Sequence, residues 1–128
     1  MKVLYGKVTK VDYEKGTVDV MLREFDDMVI TGVKLLSMEY NPPNVGESTY
    51  IVMTDDVNAI MIGSSFGESN RPKHPGKNIF YKEMGGCSVL CKDGKMKISG
   101  IVEINGAIEV AGRLEVTGTL IVNGKEIE

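Results

Sequence analysis

Short runs of alternating apolar and polar residues fill the first 65 positions of the chain. The clearest run places Val18, Val20 and Leu22 on one face of a strand, because successive side chains of a strand point to opposite sides. The preceding segment from Asp12 to Gly16 predicts a turn, in which the glycine can adopt positive φ. Strands are predicted at residues 3–11, 18–23, 28–36, 49–53 and 59–62.

The connection between the third and fourth predicted strands is the longest and spans residues 37–47. It contains Pro42 and Pro43, which cannot donate hydrogen bonds to a β-ladder. Five short strands with one longer connection predict a small closed β-barrel, for which the oligonucleotide/oligosaccharide-binding (OB) fold is the natural candidate. We therefore expect an all-β protein that begins with an OB-fold barrel over residues 1–65.

Residues 66–78 are rich in Gly, Pro and charged residues and predict a linker. His74 lies in this linker, and we interpret it as a solvated residue without a function. The remaining residues, 79–128, carry a glycine at every sixth position, and we expect them to form a β-helical spike. The glycines predicted to form its corners are Gly94, Gly100, Gly106, Gly112, Gly118 and Gly124.

The units between these glycines share a second pattern, because their second and fourth places are always apolar. These ten positions are Met96, Ile98, Val102, Ile104, Ile108, Val110, Leu114, Val116, Leu120 and Val122. The outward third place is charged in most units, as in Lys97 and Glu103. Consecutive units without an exception indicate a structural repeat.

The glycines of the repeat permit two interpretations. The pairs Asn105-Gly106 and Asn123-Gly124 suit a meander of hairpins, but that register would place the apolar fourth place opposite a first place that is often polar or charged. A continuously extended chain instead turns places two, four and six inward, and a glycine then stands at each corner. We therefore predict a chain that winds with six-residue edges.

One copy of the repeat is too short to enclose a core. A three-sided coil needs about 18 residues per turn, and stacked-repeat folds need about three coils, whereas residues 95–124 supply 30. Three copies around one axis would supply the missing ladder partners and cover the ten apolar positions. The prediction is an intertwined homotrimeric β-helix, and a single-chain left-handed hexapeptide helix is the alternative.

Charge and composition limit the classes of function. Residues 1–70 carry 6 Lys and Arg against 11 Asp and Glu, a poor balance for contacting phosphate backbones, so no nucleic-acid partner is expected. The chain has no apolar stretch near the ~20 residues that span a bilayer, and its N-terminus lacks the apolar region of a signal peptide. We therefore expect synthesis in the cytosol without a Sec-type signal.

No set of residues predicts catalysis, a cofactor or a metal site, so we expect no enzyme. The acidic pairs at 26–27 and 55–56 suit turns better than acid/base chemistry. Cys87 and Cys91 lie on one face of a strand about 13 Å apart, too far for a mutual disulfide, and are interpreted as half-buried thiols. One histidine in the chain is too few for a metal site.

The chain resembles the central spike proteins of contractile phage tails, the baseplate assembly protein V family, and their relatives in R-type bacteriocins and other contractile injection systems. The resemblance is carried by GKVTKVDYEKGTVDVML (6–22), PPNVGESTYIVM (42–53), NAIMIGSS (58–65) and the glycine repeat (94–124). It covers nearly the whole chain. The order of the segments and the strict glycine spacing are its most specific features.

This resemblance implies a homotrimer in a virion or bacteriocin particle assembled in the bacterial cytoplasm. Its barrels would bind baseplate hub and tail tube proteins, and its β-helix would point at the target cell membrane and pierce it. Larger relatives carry an inserted lysozyme-like domain, for which this chain has no room. Some relatives hold iron through a His-x-His tip motif, but no histidine follows His74. The charged segment NGKEIE would be a blunt tip or a platform for a separate tip protein.

Two other classes stay open on the sequence. A polymer-forming β-helical scaffold, similar to bactofilin cytoskeletal proteins, would share the repeat, and filaments in electron micrographs would favour it. An OB-fold module that binds nucleic acid or oligosaccharide would need exposed aromatic and basic residues on one barrel face. Salt-dependent binding to single-stranded DNA would favour that class.

Overall fold

The computed structural model describes all residues from 1 to 128, and the chain divides into two compact units, Met1–Lys73 and His74–Glu128. The division falls inside the predicted linker, residues 66–78. Apart from a 3-10 turn at Arg23–Phe25, all regular structure is β-strand.

The first unit is a closed five-stranded barrel with strand order β1-β2-β3-β5-β4. Its strands are β1 (Lys2–Asp12), β2 (Thr17–Leu22), β3 (Met28–Lys34), β4 (Ser48–Met53) and β5 (Ala59–Gly63). Neighbouring strands are antiparallel except β3 and β5, which are parallel where Lys34 pairs with Ile60. The predicted closed barrel is therefore confirmed, and every predicted strand end lies within two residues of the observed one.

The barrel core follows the alternation in the sequence. Val18, Val20 and Leu22 are at most 1% exposed, as their shared face predicts. They pack with buried residues of the other four strands, namely Val8, Val33, Ile51 and Ala59. Gly6 allows β1 to cross this core closely, because a Cβ there would lie 2.5 Å from the Met21 carbonyl oxygen.

The turns of the barrel lie at the residues for which the sequence predicted turns. Gly16 has φ of 67°, and the Asp12 carboxylate accepts a hydrogen bond from the Lys15 backbone N–H at 3.0 Å. Asp26 and Asp27 follow the 3-10 turn at φ of 54° and 56°, the left-handed region that aspartate tolerates better than most residues. Between β3 and β4 the chain contains no helix or strand, as predicted for the long connection.

The second unit contains a three-stranded antiparallel sheet followed by a short hairpin. The sheet consists of β6 (Phe80–Met84), β7 (Cys87–Lys92) and β8 (Lys95–Ser99), and the hairpin of β9 (Leu120–Val122) and β10 (Lys125–Ile127). Two-residue turns at Gly85-Gly86, Asp93-Gly94 and Asn123-Gly124 join the strands. Both residues of each turn have positive φ, which matches the right-handed twist of paired strands.

At both ends of the glycine series, the single chain forms hairpins rather than a continuously extended chain. Gly94 and Gly124 lie in hairpin turns, because Asp93 and Asn123 readily adopt the positive φ that such turns require. The pairing of Val122 with Lys125 is the mixed apolar–polar pairing that argued against hairpins. Its cost is small because both side chains are solvent-exposed in the single chain.

Between β8 and β9, the chain from residue 100 to residue 119 has no partner strand. It bends at Gly100 and again at the residue pairs 105–106, 111–112 and 117–118, so the bends keep the six-residue spacing. Gly100, Gly106 and Gly112 have φ of 126°, 150° and 145°, whereas Gly118 does not have positive φ. Residues 101–119 belong to no β-ladder, so the single chain does not form a β-helix by itself.

Candidate functional site

The ten apolar positions of the repeat are all exposed to solvent in the single chain. Their exposed fractions run from 38% at Leu120 to 71% at Leu114. A large exposed apolar surface of this kind marks a protein or membrane contact, because monomeric proteins rarely leave one uncovered. Burying one such side chain fully contributes about 1.5–3 kcal/mol. The repeat is therefore the principal candidate site of interaction.

One ion pair shows which residues of the repeat share a face. Arg113 Nη2 lies 3.1 Å from Glu115 Oε2, and both side chains are well exposed. These residues occupy the first and third places of their unit, so those places point to the same side of the extended chain. The alternating second and fourth places, here Leu114 and Val116, point to the opposite side.

The backbone of the repeat also lacks hydrogen-bonding partners. Its segments 101–104, 107–110 and 113–116 make no ladder with any strand of the chain. Extended backbone with free N–H and C=O groups is a template for pairing with another strand. The same segments thus lack both a cover for their side chains and partners for their peptide groups.

The three-stranded sheet extends the apolar face of the repeat. Val89 pairs with Ile98 and Lys82, and Cys91 pairs with both Phe80 and Met96, so these side chains share one side of the sheet, on which Lys82 is the one charged residue. The opposite side carries Tyr81, Glu83, Ser88, Leu90, Lys92, Lys95, Lys97 and Ser99. Since Met96 and Ile98 are also the first two apolar positions of the repeat, one apolar face runs from the sheet into the repeat.

Both cysteines lie on this apolar side and are free thiols. Cys87 is exposed and Cys91 half-buried, and they occupy one strand, as their spacing predicted. A Cβ at Gly100 would lie 2.9 Å from Cys87 Sγ, so the glycine lets the thiol pack against the first bend. Sequence reasoning missed this sheet, although Gly85-Gly86 and Asp93-Gly94 are hairpin signals.

Two residues outside the repeat, His74 and Asp55, were assigned no chemistry, and the structure places His74 in a ring contact and Asp55 in a turn. The His74 ring lies 4.3 Å from the Tyr81 ring between centroids. The Asp55 carboxylate accepts hydrogen bonds from the backbone N–H groups of Val57 and Asn58 at 2.8 Å, and from the Asn58 side chain. These hydrogen bonds hold the pKa of Asp55 below its ordinary value, and the bond from the Val57 N–H has the largest effect.

The barrel presents an apolar patch on its outer surface. The register pairs Val3 with Val52 and Tyr5 with Tyr50, and Val52 also pairs with Ile60. The two tyrosine rings lie 4.8 Å apart between centroids, and Val3 is 60% exposed. This face of β1, β4 and β5 carries no charge at these positions, which favours contact with another protein surface.

Comparison with known proteins does not assign the chain to a family. No protein-family model matches the sequence, and no curated protein matches it. No group of three or more His, Cys, Asp or Glu side chains is placed to hold a metal ion. The structure contains no helix that is long and apolar enough to span a membrane.

Proposed function

We propose that the chain is the structural, membrane-piercing spike of a contractile tail or a related contractile injection system, and that it acts as a homotrimer. The observation that carries this proposal is the repeat. Its segments bend every six residues and expose ten apolar side chains, and the backbone of residues 101–119 has no ladder partners. Identical chains wound around a common axis would satisfy both requirements with one geometry.

The geometry favours intermolecular pairing over a single-chain helix. A single-chain hexapeptide helix needs parallel pairing between residues about 18 positions apart, such as Val102 with Leu120. The only strand in residues 101–122 is β9, which pairs with β10 in an antiparallel hairpin. In the proposed trimer, the neighbouring chains supply strands on both sides of each edge. The corner glycines then stand near the axis, where a side chain would not fit.

The barrel supports the same proposal through its topology. A closed barrel with order β1-β2-β3-β5-β4 and parallel β3 and β5 has the strand arrangement of the OB type. An OB barrel followed by a glycine-spaced repeat is the order of segments in the spike proteins that this sequence resembles. In this role the barrel is a mounting collar that binds hub and tail tube proteins, and its apolar patch supplies part of that contact.

The proposed particle explains why no catalytic group is required. Sheath contraction supplies the work, and the spike needs stiffness and a narrow cross-section to pierce the outer layer of the target cell. The exterior would carry the charged third places Lys97, Glu103, Glu109 and Glu115. A charged end at NGKEIE would be a blunt tip or a seat for a separate tip protein.

Mass in solution tests the proposal directly. The chain has a mass of 14.0 kDa, so light scattering should give a single species of about three times that value, since trimers close a cyclic assembly. A mass near that of one chain would contradict the proposal. Open filaments in electron micrographs would instead favour a polymer-forming β-helical scaffold, which uses the same exposed backbone without closure.

A further inference from the structure

The β2–β3 and β4–β5 turns flank one end of the barrel, which opens into an apolar cavity of about 370 Å³. The cavity is lined by Leu4, Leu22, Phe25, Met28, Ile30 and Met53. Phe25 and Met28 are 47% and 50% exposed, so the cavity presents apolar side chains to water. Methionine is flexible and polarisable, which suits a surface that adapts to an incoming side chain. We call this cavity the barrel mouth.

Two carboxylates line the barrel mouth, and two more lie in the turn beside it. Asp55 and Asp56 line it directly, and Asp26 and Asp27 occupy the turn between Phe25 and Met28. All four aspartates are solvent-exposed, and they outnumber the two cations that line the mouth, the Lys2 side chain and the α-amino group of Met1. An apolar cavity with an anionic rim favours a partner that combines apolar side chains with positive charge.

A second barrel cavity does not share the excess of carboxylates at the barrel mouth. It measures about 560 Å³ and is also apolar, with Leu35, Met38 and Met61 among its lining residues. Its charged lining residues are one cation and one anion, Lys15 and Glu39. The two cavities thus share apolar chemistry and differ in the charge around them.

We infer that the barrel mouth is the docking site for a segment of a different protein, in which one or two apolar side chains lie between lysine or arginine residues. An acidic rim repels the anionic headgroups of a membrane surface. It also disfavours a second barrel of this chain, because residues 1–70 carry 6 basic against 11 acidic side chains. The site lies wholly in the barrel and does not depend on the trimeric repeat.

Methyl NMR of the full chain with labelled methionines tests this site. Met28 and Met53 report on the barrel mouth, and Met38 and Met61 report on the second cavity. The probe is a synthetic peptide with a Leu-Phe pair between two lysines on each side. One control peptide has glutamates in place of the lysines, and another has Ser-Ser in place of Leu-Phe.

The expected result is a saturable shift of the Met28 and Met53 signals with the lysine-flanked Leu-Phe peptide alone. Asp27→Asn together with Asp56→Asn should weaken this binding about threefold to tenfold and reduce its salt dependence. Asparagine tolerates the left-handed backbone of position 27, so the turn is retained. Glu14→Gln together with Glu68→Gln removes the same charge elsewhere on this unit and should leave the binding unchanged.

Three results would overturn the inference. The first is equal shifts of Met38 and Met61, which would mean non-selective binding to apolar cavities. The second is equal binding of either control peptide, and the third is no shift at Met28 and Met53. A monomeric mass with normal peptide binding would contradict the proposed spike and leave the docking site intact. A trimeric mass without peptide binding would do the reverse.

Discussion

The barrel and the repeat are built from the same kind of alternating sequence, yet their apolar residues have opposite environments. Seven core residues of the barrel are at most 4% exposed, whereas the ten apolar positions of the repeat are at least 38% exposed. In the barrel each strand lies between two neighbours from its own chain. In the repeat the extended segments have no such neighbour. A period of two thus shows which side chains need cover, but not which chain provides it.

A charge at one of the ten apolar positions of the repeat should have the largest effect. In the proposed trimer, Ile108→Asp would place an unpaired carboxylate from every chain in the shared core, which we expect to destabilise the assembly by about 4 kcal/mol or more. Light scattering should show loss of the trimer. Glu109→Ala, at the adjacent outward place, is the control and should retain it. A trimer that survives Ile108→Asp would mean that this position does not face a shared core.

A cavity in the barrel core should lower the stability of the barrel without changing the oligomeric state. Leu22→Ala removes a fully buried side chain and should lower the free energy of unfolding of the barrel by about 2–5 kcal/mol. The mass of the assembly should not change, because in the proposed trimer the repeat holds the copies together. Met38→Ala alters a side chain that is 99% exposed, and it should change barrel stability by less than about 0.5 kcal/mol. Dissociation of the Leu22→Ala trimer would show that the barrels hold the copies together.

The smallest expected effect comes from replacing single glycines of the repeat by alanine, which separates backbone strain from steric crowding between chains. Gly112 has φ of 145° and Gly118 has no positive φ, while a Cβ at either position would meet no atom within 4 Å in the single chain. Gly112→Ala should therefore destabilise the fold by about 1–3 kcal/mol more than Gly118→Ala. Thermal unfolding of the two variants measures this difference. Equal and large losses would indicate that side chains at both corners collide with neighbouring chains.

The sequence was sufficient for most of the barrel because its signals are local. Alternation in β2 identified Val18, Val20 and Leu22 as core, and the turn residues around Gly16 marked where the strands end. The glycine spacing likewise identified the bends of the repeat. Each of these features depends on the conformational preferences of a few adjacent residues.

The outer patch of the barrel and the sheet before the repeat could not be predicted in the same way. In β1 both faces are apolar, because Leu4 and Val8 point inward while Val3 and Tyr5 point outward. Alternation gives no warning of such a patch, since it appears only when the strands pair. The sheet was missed because its second hairpin turn, Asp93-Gly94, contains the first glycine of the series, so that β8 was assigned to the repeat.

Backbone sterics and side-chain polarity act locally, so the sequence predicts where this chain extends, where it bends and which side chains require burial. Tertiary structure alone decided how the barrel closes, through the parallel pairing of Lys34 with Ile60 across a long connection. It also decided that Gly94 and Gly124 lie in hairpin turns while the intervening glycines bend an unpaired chain. Pairing between distant segments depends on which backbone partners lie within reach, and a six-residue period does not contain that information.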